Sequence, residues 1–372
     1  MINVDSKKYT QPFTFKSGVT LKNRFIMAPM TTKMSFYDGV ITEDEKRYYH
    51  MRSKEAGAVI TAAANVSEGG KGWEGELGIY DDKHLQGLSS LASAIQINGT
   101  KAIVQLYHGG RMTSSSVLRG TQPVAPSAVK AERPTAEEPR PLEEKELFQI
   151  IEDFKQGAVR AIKSGFDGIE LHGANTYLLQ QFFSPHSNRR EDKWGGSVEK
   201  RFTFIDLLVD EVIQTVKKTT DRPFIIGYRF SPEEYETPGI RFQDSLYLVD
   251  KLSDKALDYL HVSLGNYKQV SQSEAYQERP MIAYLNEKID GRTAFMSVGD
   301  IRTGEDAQEA LSNSDLTALG RVILADPHWV GKVLNDKEET IRYTVSQEER
   351  EELGLTNGVW QFMQNMMTDR LN

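Results

Sequence analysis

The sequence predicts an α/β protein folded as a closed barrel, in which eight parallel strands alternate with helices. Three observations support this prediction. Short apolar runs recur eight times along the 372 residues, charged segments with helical periodicity lie between them, and the runs are nearly continuous in apolar residues. Continuous apolar runs are typical of parallel strands that are buried on both faces. Eight strand–helix pairs match the TIM (β/α)8 barrel, which reaches this length with insertions.

The predicted strands are spread over the chain from residue 25 to residue 320. They cover Phe25 to Met30, Ala58 to Ala64, Ala102 to Tyr107, Gly168 to His172, Phe224 to Phe230, Tyr259 to Leu264, Ala294 to Val298 and Leu316 to Gly320. Helices are predicted between them at Glu43 to Glu55, Lys83 to Ile97, Glu143 to Ser164, Val198 to Lys218, Gln243 to Lys255 and Glu305 to Ser312. An open doubly wound sheet also alternates strands and helices, but its first strand normally leads into a glycine-rich nucleotide turn. Here that strand ends in Ala28-Pro29-Met30-Thr31, so we expect a closed barrel in a single domain, 1–372.

Three further segments frame the predicted barrel. Phe13 to Lys22 is predicted to form a β-hairpin that turns at Ser17-Gly18 and closes the bottom of the barrel. Residues 109–141, after the third strand, contain five prolines and can form neither a helix nor a central strand. We expect them to form a lid at the C-terminal face, with a disordered linker as the alternative. The tail, 348–372, carries an apolar stripe expected to pack on the barrel, formed by Trp360, Phe362, Met363, Met366 and Met367.

Composition excludes several classes of function. The 45 Lys and Arg residues against 53 Asp and Glu give a net charge of −8, with no basic stripe for nucleic acid or an anionic membrane. The absence of cysteine excludes disulfides, thiolate nucleophiles and cysteine-bound iron–sulfur clusters. No apolar run approaches the ~20 residues that span a bilayer, and Met1 to Lys8 lacks a signal-peptide core. We expect a cytoplasmic enzyme with small-molecule substrates and no resident metal, and self-association stays open.

Large polar side chains interrupt two predicted strands near their C-terminal ends. Gln105 lies in the third strand and Arg229 in the fifth. Each needs a partner, because an unsatisfied buried polar group costs ~1–3 kcal/mol and a charged one more. Taken singly, Gln105 is explained as a satisfied core side chain, and Arg229 as the ion-pair partner of an internal carboxylate such as Glu170.

Three possible donors follow one another at the end of the fourth strand. Alternation places Glu170 and His172 on one face with His172 nearer the rim, and Asn175 and Tyr177 fall in the following loop. A histidine and an asparagine three positions apart can direct N–H groups at one oxygen, and a phenol beyond them can deliver a proton. This set would polarise a carbonyl and protonate its α carbon. A core histidine, a turn-forming asparagine and a packing tyrosine are the structural alternatives.

Small residues also lie at the predicted mouth. Ala62 to Ala64 end the second strand, and Gly299 and Gly320 end the seventh and eighth. A flat ligand and its phosphate need such clearance, and phosphate sites in these barrels favour the ends of the last two strands. The pair Gly320-Arg321 adds a backbone N–H and a cation there.

The sequence resembles the Old Yellow Enzyme family of FMN-dependent ene reductases from about Phe13 to about Trp329. The most specific stretch runs from His172 to Ser197 and is similar to the family pattern HxxNxY followed by SPxxNxRxDxxGGS. Supporting matches are Leu21 to Thr31, Gln105 to Arg111, Gly227 to Ser231, and Gly320-Arg321 followed by Ala325-Asp326-Pro327.

The resemblance implies that FMN is held noncovalently at the C-terminal mouth of a TIM barrel, with NADH or NADPH as reductant. The residues implied to line its isoalloxazine ring are Pro29, Met30, Thr31 and Ala63. Gln105 would bond the pyrimidine edge, and Arg229 would lie by N1 and the C2 carbonyl, where negative charge gathers on reduction. The residues implied to hold the phosphate are Gly299, Gly320 and Arg321.

The implied reaction is a ping-pong reduction of the C=C bond of an α,β-unsaturated carbonyl compound. His172 and Asn175 would hold the substrate oxygen, and Tyr177 would protonate the α carbon. Quinones, nitro compounds and nitrate esters stay open as substrates. One branch of the family has a pocket aromatic near Lys33, and whether Phe36 or Tyr37 replaces it is open.

Asp300 is a second departure from the family pattern, because a carboxylate beside a phosphate would repel it unless the side chain turned outward. Three other functions are alternatives. A barrel glycosidase would use Glu170 and Asp300 as its paired carboxylates. A metal hydrolase would use His108, His172 and His261, which lack a carboxylate partner at ligand spacing. A non-catalytic flavin-binding protein would have no need of Tyr177.

Overall fold

The fold is built around a closed eight-stranded barrel in a computed structural model that describes residues 7–371. The strands are β1 Phe25–Met27, β2 Ala58–Asn65, β3 Lys101–Tyr107, β4 Gly168–Gly173, β5 Ile225–Phe230, β6 Tyr259–Val262, β7 Ala294–Val298 and β8 Leu316–Leu319. All neighbouring pairs are parallel. The ring closes because β1 pairs with both β8 and β2, with Phe25 opposite Thr317 and Ile26 opposite Ala58. The predicted α/β barrel is therefore confirmed.

The strands end earlier at the mouth than the apolar runs suggest. The first run continues to Met30, but β1 ends at Met27. The amide of Ala28 still donates to the carbonyl of Leu319 at 2.9 Å, and Pro29 then has no N–H to continue the ladder. In the sixth strand, pairing ends at Val262, two residues before the predicted end at Leu264. The released residues belong to the loops that form the mouth.

The helices are α1 Glu43–Ser53, α2 Leu85–Ile95, α3 Glu144–Lys163, α4 Leu178–Phe183, α5 Val198–Thr219, α6 Phe242–Ser253, α7 Met281–Ile289, α8 Gly304–Ala310, α9 Arg321–Ala325, α10 Trp329–Leu334 and α11 Asn357–Met366. Six of them match the predicted helices within a few residues. Helices α4, α7, α9, α10 and α11 are not among the predicted helices. Helices α4, α9 and α10 have only five or six residues, too few to show a period, and α11 contains the apolar stripe of the tail, to which no secondary structure was assigned. No helix in residues 7–371 is long and apolar enough to cross a membrane.

An antiparallel hairpin closes the bottom of the barrel, as predicted. Its strands, Phe13–Thr14 and Thr20–Leu21, pair with Phe13 opposite Leu21. Gly18 sits in the turn with φ +90°, a conformation that side-chain-bearing residues rarely adopt. The apolar hairpin residues pack in one buried cluster with side chains from inside the barrel. That cluster includes Phe15, Val19, Leu21, Ile26, Ile60, Ile103, Ile225, Tyr259, Met296 and Leu316.

The loop 109–141 is folded back on itself and tied to the segment after α4. Two short parallel strands, Val124–Ala125 and Arg140–Pro141, pair within it. The guanidinium of Arg111 donates to the carbonyls of Val129 and Lys130 at 3.0 and 2.8 Å. The Arg190 side chain donates to the Pro126 carbonyl at 3.2 Å, so the loop is anchored to the segment that follows α4.

The tail packs on the barrel that precedes it. Trp360, Met363 and Met367 are buried in the main core cluster, and Phe362 packs against the same cluster. The side chain of Met366 lies outside the described part of the structure, as do residues 1–6, which include most of the N-terminal stretch examined for a signal peptide. Leu371 forms a parallel bridge with Val345, so the end of the described chain is also paired.

Candidate active site

A buried polar network fills the barrel just below its mouth. The carboxylate of Glu170 on β4 is fully buried and accepts from Gln105 Nε2 at 2.7 Å and from the Tyr259 hydroxyl at 3.0 Å. His261 Nδ1 lies 2.8 Å from the same carboxylate. Burial alone would raise the pKa of Glu170, but His261, Arg229 and the donated hydrogen bonds bring it below its ordinary value. Glu170 is therefore an ionised structural acceptor with no free face towards solvent.

Arg229 lies one layer above this carboxylate, in register with His172 on β4 and His261 on β6. Its Nη2 donates to Ser263 Oγ at 3.1 Å, and its buried Nε has no hydrogen-bond partner in residues 7–371. Among the described residues Arg229 forms no direct ion pair with Glu170, although its charge helps to lower the pKa of that carboxyl. A buried guanidinium with an unused N–H still needs an acceptor.

His172 is a neutral hydrogen-bond donor at the mouth. Burial, with the charges of Arg229 and His261 adding to it, holds the pKa of His172 well below its usual value. Its Nδ1 accepts from the amide of Ala174 at 3.3 Å. A neutral imidazole that accepts at Nδ1 carries its proton on Nε2, so Nε2 is available to donate to an external oxygen.

Asn175 serves as both a turn residue and a polar group of the site. Its backbone adopts the left-handed conformation, φ +55°, which asparagine tolerates better than most residues. Its amide nitrogen donates to Ser231 Oγ at 2.9 Å, and its side-chain Nδ2 donates to Ser263 Oγ at 3.1 Å. Ser263 thus links Asn175 to Arg229, and the exposed Asn175 amide lies beside the guanidinium.

Tyr177 follows in the same loop and packs on an aromatic cluster. Its ring centroid lies 5.0 Å from that of His172, 4.9 Å from Tyr107 and 6.1 Å from Trp73. Burial raises the pKa of Tyr177, the carboxyl of Glu76 raises it further, and Arg133 and Arg229 act in the opposite direction. The phenol is therefore protonated at neutral pH, as a proton donor must be.

Behind Tyr177, the Tyr107 hydroxyl donates to the buried carboxyl of Glu76. The same oxygen of Glu76 accepts from the amides of Gly72 and Trp73 at 2.9 and 3.2 Å. Burial raises the pKa of Glu76 to about 8. Neither Glu76 nor Ser263 is among the site residues predicted from the sequence. Side chains alternate along a strand, so Tyr107 is expected on the same face of β3 as Gln105. Trp73 and Glu76 reach the site through a tertiary contact, which the sequence does not indicate.

The loop after β1 holds the residues expected to line the flavin. Pro29 is buried, and Met30 and Thr31 are partly exposed. The loop is anchored on α1, because the buried carboxyl of Glu45 accepts from Thr32 Oγ1 at 2.8 Å and from Ser35 Oγ at 2.6 Å. Burial raises the pKa of Glu45 to about 7. Ala63 on β2 is nearly buried and lies opposite Gln105, next to an irregularity in the pairing of β2 and β3.

Phe36 and Tyr37 follow this loop and are exposed, at 56% and 71% of their surfaces. They are the candidates to replace the aromatic residue that one branch of the family has in its pocket near Lys33. Both rings are thus largely in solvent, whereas Trp73 packs beside Tyr177. The loop after β2 thus adds an aromatic side chain, Trp73, to the cluster that Tyr107 and His172 form around the proposed proton donor.

The predicted phosphate residues lie where β7 and β8 end. Gly299 has φ +124°, and a Cβ there would approach the backbone nitrogen of Asn266 to 2.7 Å, so the local packing itself requires glycine. A Cβ at Gly320 would meet only Met30 Sδ at 3.8 Å, which leaves space above the residue. Arg321 is exposed and begins α9. Asp300 is held by Arg302 Nε at 3.0 Å and Arg370 Nη2 at 3.1 Å, so its charge is compensated.

These residues fit FMN on three observations. Arg229 has a buried N–H that finds no acceptor among the described residues, and the electron-rich edge of a flavin would supply one. Gln105 is fixed through its Nε2, and within residues 7–371 its amide oxygen accepts no hydrogen bond. The space above Gly320, beside the cation of Arg321, suits a phosphate.

The geometry of these residues does not fit a glycosidase or a metal hydrolase. The glycosidase pair is not available, since Glu170 is buried under three donors and Asp300 is tied to two arginines. In the described range, no three His, Asp or Glu side chains are grouped so that they could hold a metal ion.

Comparison with known proteins gives the family. Residues 9–340 match the model of the NADH:flavin oxidoreductase / NADH oxidase family. The chain is 43% identical over 365 residues to the probable NADH-dependent flavin oxidoreductase YqiG of Bacillus subtilis, covering 98% of both chains. It is 42% identical over 359 residues to the NADH:acrylate oxidoreductase of Vibrio harveyi, which corresponds to 95% of this chain but only 36% of that protein.

Solved structures agree with this assignment. The Old Yellow Enzyme homologue of Zymomonas mobilis superimposes with a TM-score of 0.78 at 27% identity, covering 94% of this chain and 96% of that one. Morphinone reductase in complex with tetrahydroNAD gives a TM-score of 0.76 at 30% identity, covering 88% and 91%. The chain therefore belongs to the NADH:flavin oxidoreductase / NADH oxidase family, the Old Yellow Enzyme family, whose members are FMN-dependent enzymes that use a nicotinamide reductant.

Proposed function

We propose that this enzyme reduces the C=C bond of α,β-unsaturated carbonyl compounds, with NADH and the acceptor occupying the same mouth of the barrel in turn. The observation that carries the proposal is the convergence of His172, Asn175 and Tyr177 beside the buried guanidinium of Arg229. A flavin-binding protein without catalytic function would not need a protonated phenol next to two donors for one oxygen.

The flavin would be held by residues that surround the mouth. FMN, when bound, supplies a carrier that takes a hydride from the nicotinamide and passes it to the β carbon of the acceptor. Arg229 would donate its unpartnered Nε–H to the pyrimidine side of the ring, and Gln105 would accept from the same side. The ring would be lined by Pro29, Met30, Thr31 and Ala63. Its phosphate would lie at Gly299, Gly320 and Arg321.

The donor residues would act on the acceptor. His172 Nε2 and the Asn175 amide would donate to the carbonyl oxygen, where negative charge builds up as hydride arrives at the β carbon. Such donors bind the transition state more tightly than the ground state, which lowers the barrier. Tyr177 would then give its phenolic proton to the α carbon, so that one hydride and one proton complete the reduction.

The printed names of relatives favour NADH as reductant but do not fix the acceptor. Two relatives, NADH:acrylate oxidoreductase and NADH:fumarate oxidoreductase, are named for conjugated acids, yet this chain covers only 36% and 39% of their lengths. Most of each of those proteins lies outside the part that matches this chain, so their names do not assign an acceptor to it. A second candidate function is that of an NADH-oxidising flavoenzyme whose electrons go to a quinone or to oxygen; one relative is named NADH oxidase.

One anaerobic experiment separates the two. The yellow holoprotein is mixed with NADH or NADPH under argon, the loss of flavin absorbance is timed, and the bleached protein is then mixed with 2-cyclohexenone, acrylate or a quinone. We expect fast bleaching by NADH and recovery of absorbance with the enone. Recovery with the quinone alone would favour the second candidate, and a purified protein that takes up no FMN would refute both.

A further inference from the structure

The C-terminal segment brings a buried arginine to the end of the barrel where the phosphate is expected. Arg370 is only 3% exposed, and its Nη2 donates to Asp300 Oδ1 at 3.1 Å, next to Gly299. Its backbone carbonyl accepts from the amide of Val345 at 2.8 Å, and Leu371 bridges to the same residue. The segment is thus fixed against the C-terminal end of β7, and a guanidinium is buried there.

Two further arginines lie around it, and we call Arg302, Arg321 and Arg370 the arginine cluster. Arg302 Nε donates to the same Asp300 oxygen at 3.0 Å. Arg321 Nη1 lies 3.7 Å from Asp369 Oδ1, and no hydrogen bond of its guanidinium is found among the described residues. Two of the three arginines therefore share one carboxylate oxygen, and the third has only a distant ion pair.

The arginine cluster has more donors than acceptors. Arg370 Nε is buried and forms no hydrogen bond with any residue that the structure describes, although Asp369 Oδ2 lies 3.3 Å away in poor geometry. A guanidinium carries five N–H donors, and a buried donor that finds no acceptor is costly. Burial lowers the pKa of Arg370, and the positive charges of Arg302 and Arg321 lower it further. An added anion with several acceptor oxygens would relieve both the repulsion and the unused donors.

We propose that Arg370 forms part of the site for the FMN phosphate together with Arg321, so that binding of the cofactor and docking of the C-terminal segment are coupled. The proposal rests on the placement of the phosphate at Gly299 and Gly320 in the proposed function. A phosphate monoester offers three terminal oxygens, which matches the donors that Arg370 and Arg321 leave unused. It also explains Asp300: the carboxylate holds Arg370 in place, and the arginines compensate its charge.

Binding of FMN and riboflavin tests the proposal, because the two ligands differ only in the phosphate. The full-length protein, stripped of flavin, is titrated with each ligand and quenching of flavin fluorescence is followed. The variants are Arg370→Gln, Arg321→Gln as the benchmark for the phosphate site, and Arg342→Gln as a control. Arg342 is also an arginine of the C-terminal part of the chain, but its partners are different. Its Nε lies 3.5 Å from Glu349 Oε1 and its Nη2 lies 3.6 Å from Glu352 Oε1.

We expect Arg370→Gln to weaken FMN binding by about tenfold or more, as loss of a charge-assisted hydrogen bond does. Riboflavin binding should stay within about twofold of the wild type, and Arg342→Gln should change neither. An equal loss for both flavins would show that Arg370 only supports the fold, which overturns the inference. If Arg321→Gln reduces the preference for FMN and Arg370→Gln does not, this inference fails but the phosphate placement stands. If neither does, the placement itself is wrong.

A measurement on the unmodified protein covers the case in which Arg370→Gln does not fold. Hydrogen exchange of the backbone amides in residues 357–371 is compared for the protein saturated with FMN and with riboflavin. Coupling through the phosphate predicts slower exchange with FMN than with riboflavin. Equal exchange with the two ligands would overturn the proposal.

Discussion

The rings of His172 and Tyr177 meet edge to face at the mouth of the barrel, with centroids 5.0 Å apart and planes inclined by 66°. The two residues belong to the end of one strand and the loop that follows it, so a short segment carries both an N–H donor and a phenol. Tyr107 and Trp73 pack on the phenol from behind. The geometry of the proposed reaction therefore depends on one loop and on the aromatic cluster that supports it.

Replacing Tyr177 by phenylalanine should affect only one half of the reaction. The ring is kept but the proton is lost, so oxidation of the reduced enzyme by an enone should slow by about 10²-fold or more, as is typical for a missing general acid. Reduction by NADH involves no proton from the phenol and should stay within about twofold. Stopped-flow absorbance of the flavin measures both rates.

The control for this variant is Tyr37→Phe, which removes the hydroxyl of an exposed tyrosine. It should leave both half-reactions unchanged. Equal slowing of the two half-reactions in Tyr177→Phe would indicate that the substitution disturbs the flavin site, and the proton-donor role would have to be abandoned.

Phenols should report on the oxygen site, because a phenolate places a negative oxygen where the substrate carbonyl is expected. His172→Ala and Asn175→Ala each remove one donor, so each should weaken phenol binding by about tenfold, equivalent to ~1.4 kcal/mol. His50→Ala, at an exposed position on α1, should have no effect. Titration of the visible spectrum of the flavin gives the dissociation constants, and unchanged affinity in either donor variant would remove that residue from the oxygen site.

Arg229→Gln should make the bound flavin harder to reduce. The buried guanidinium has an N–H without an acceptor in the described part of the chain, and reduction places negative charge on the edge of the ring that it would face. Losing about 1.4–3 kcal/mol of stabilisation would lower the midpoint potential by roughly 30–60 mV for a two-electron couple. Dye-equilibrated reduction measures the potential, with Arg342→Gln as a control. A potential that did not move would mean that Arg229 does not face the ring.

Much of the fold could be predicted, because the signals that specify it are local. The continuous apolar runs located all eight barrel strands, and Ser17-Gly18 located the turn of the hairpin. Helices such as α4 and α9 escaped prediction because five or six residues are too few to show a period. The early end of β1 depends on Pro29, whose missing N–H ends the ladder.

Residues of the candidate site could be predicted only where they lie near the C-terminal end of a strand or in the loop that follows it. His172, Asn175, Tyr177 and Arg229 satisfied that condition, and their functional roles stay predictions. Glu76 and Arg370 did not, because each reaches the mouth through a packing contact between distant segments. Ser263 directly follows β6 and meets the condition, but a serine at a strand end does not by itself indicate a partner. A polar residue in a loop has many possible positions in space, so its type alone carries no information about its partners.

The buried carboxyl of Glu76 should make the free energy of unfolding depend on pH, and Glu76→Gln should remove this dependence. Its folded-state pKa is raised to about 8 from an ordinary value of 4.5, because burial disfavours the charged form. Its contribution to the free energy of unfolding is therefore fully present below about pH 4.5 and is lost progressively as the pH rises to about 8. Glutamine stays neutral at every pH, and its amide oxygen can accept from Tyr107, Gly72 and Trp73 as the carboxyl does.

Urea unfolding at pH 5, 6, 7 and 8 tests this for the wild type, for Glu76→Gln and for Glu68→Gln, an exposed control. The wild type should lose stability relative to Glu76→Gln by up to a few kcal/mol across this range, because each unit of pKa shift is worth about 1.4 kcal/mol. Glu68→Gln should run parallel to the wild type. If the difference between the wild type and Glu76→Gln were constant with pH, the carboxyl would be titrating normally in the folded protein, and the buried contact with Tyr107 behind the proposed proton donor would not exist in solution.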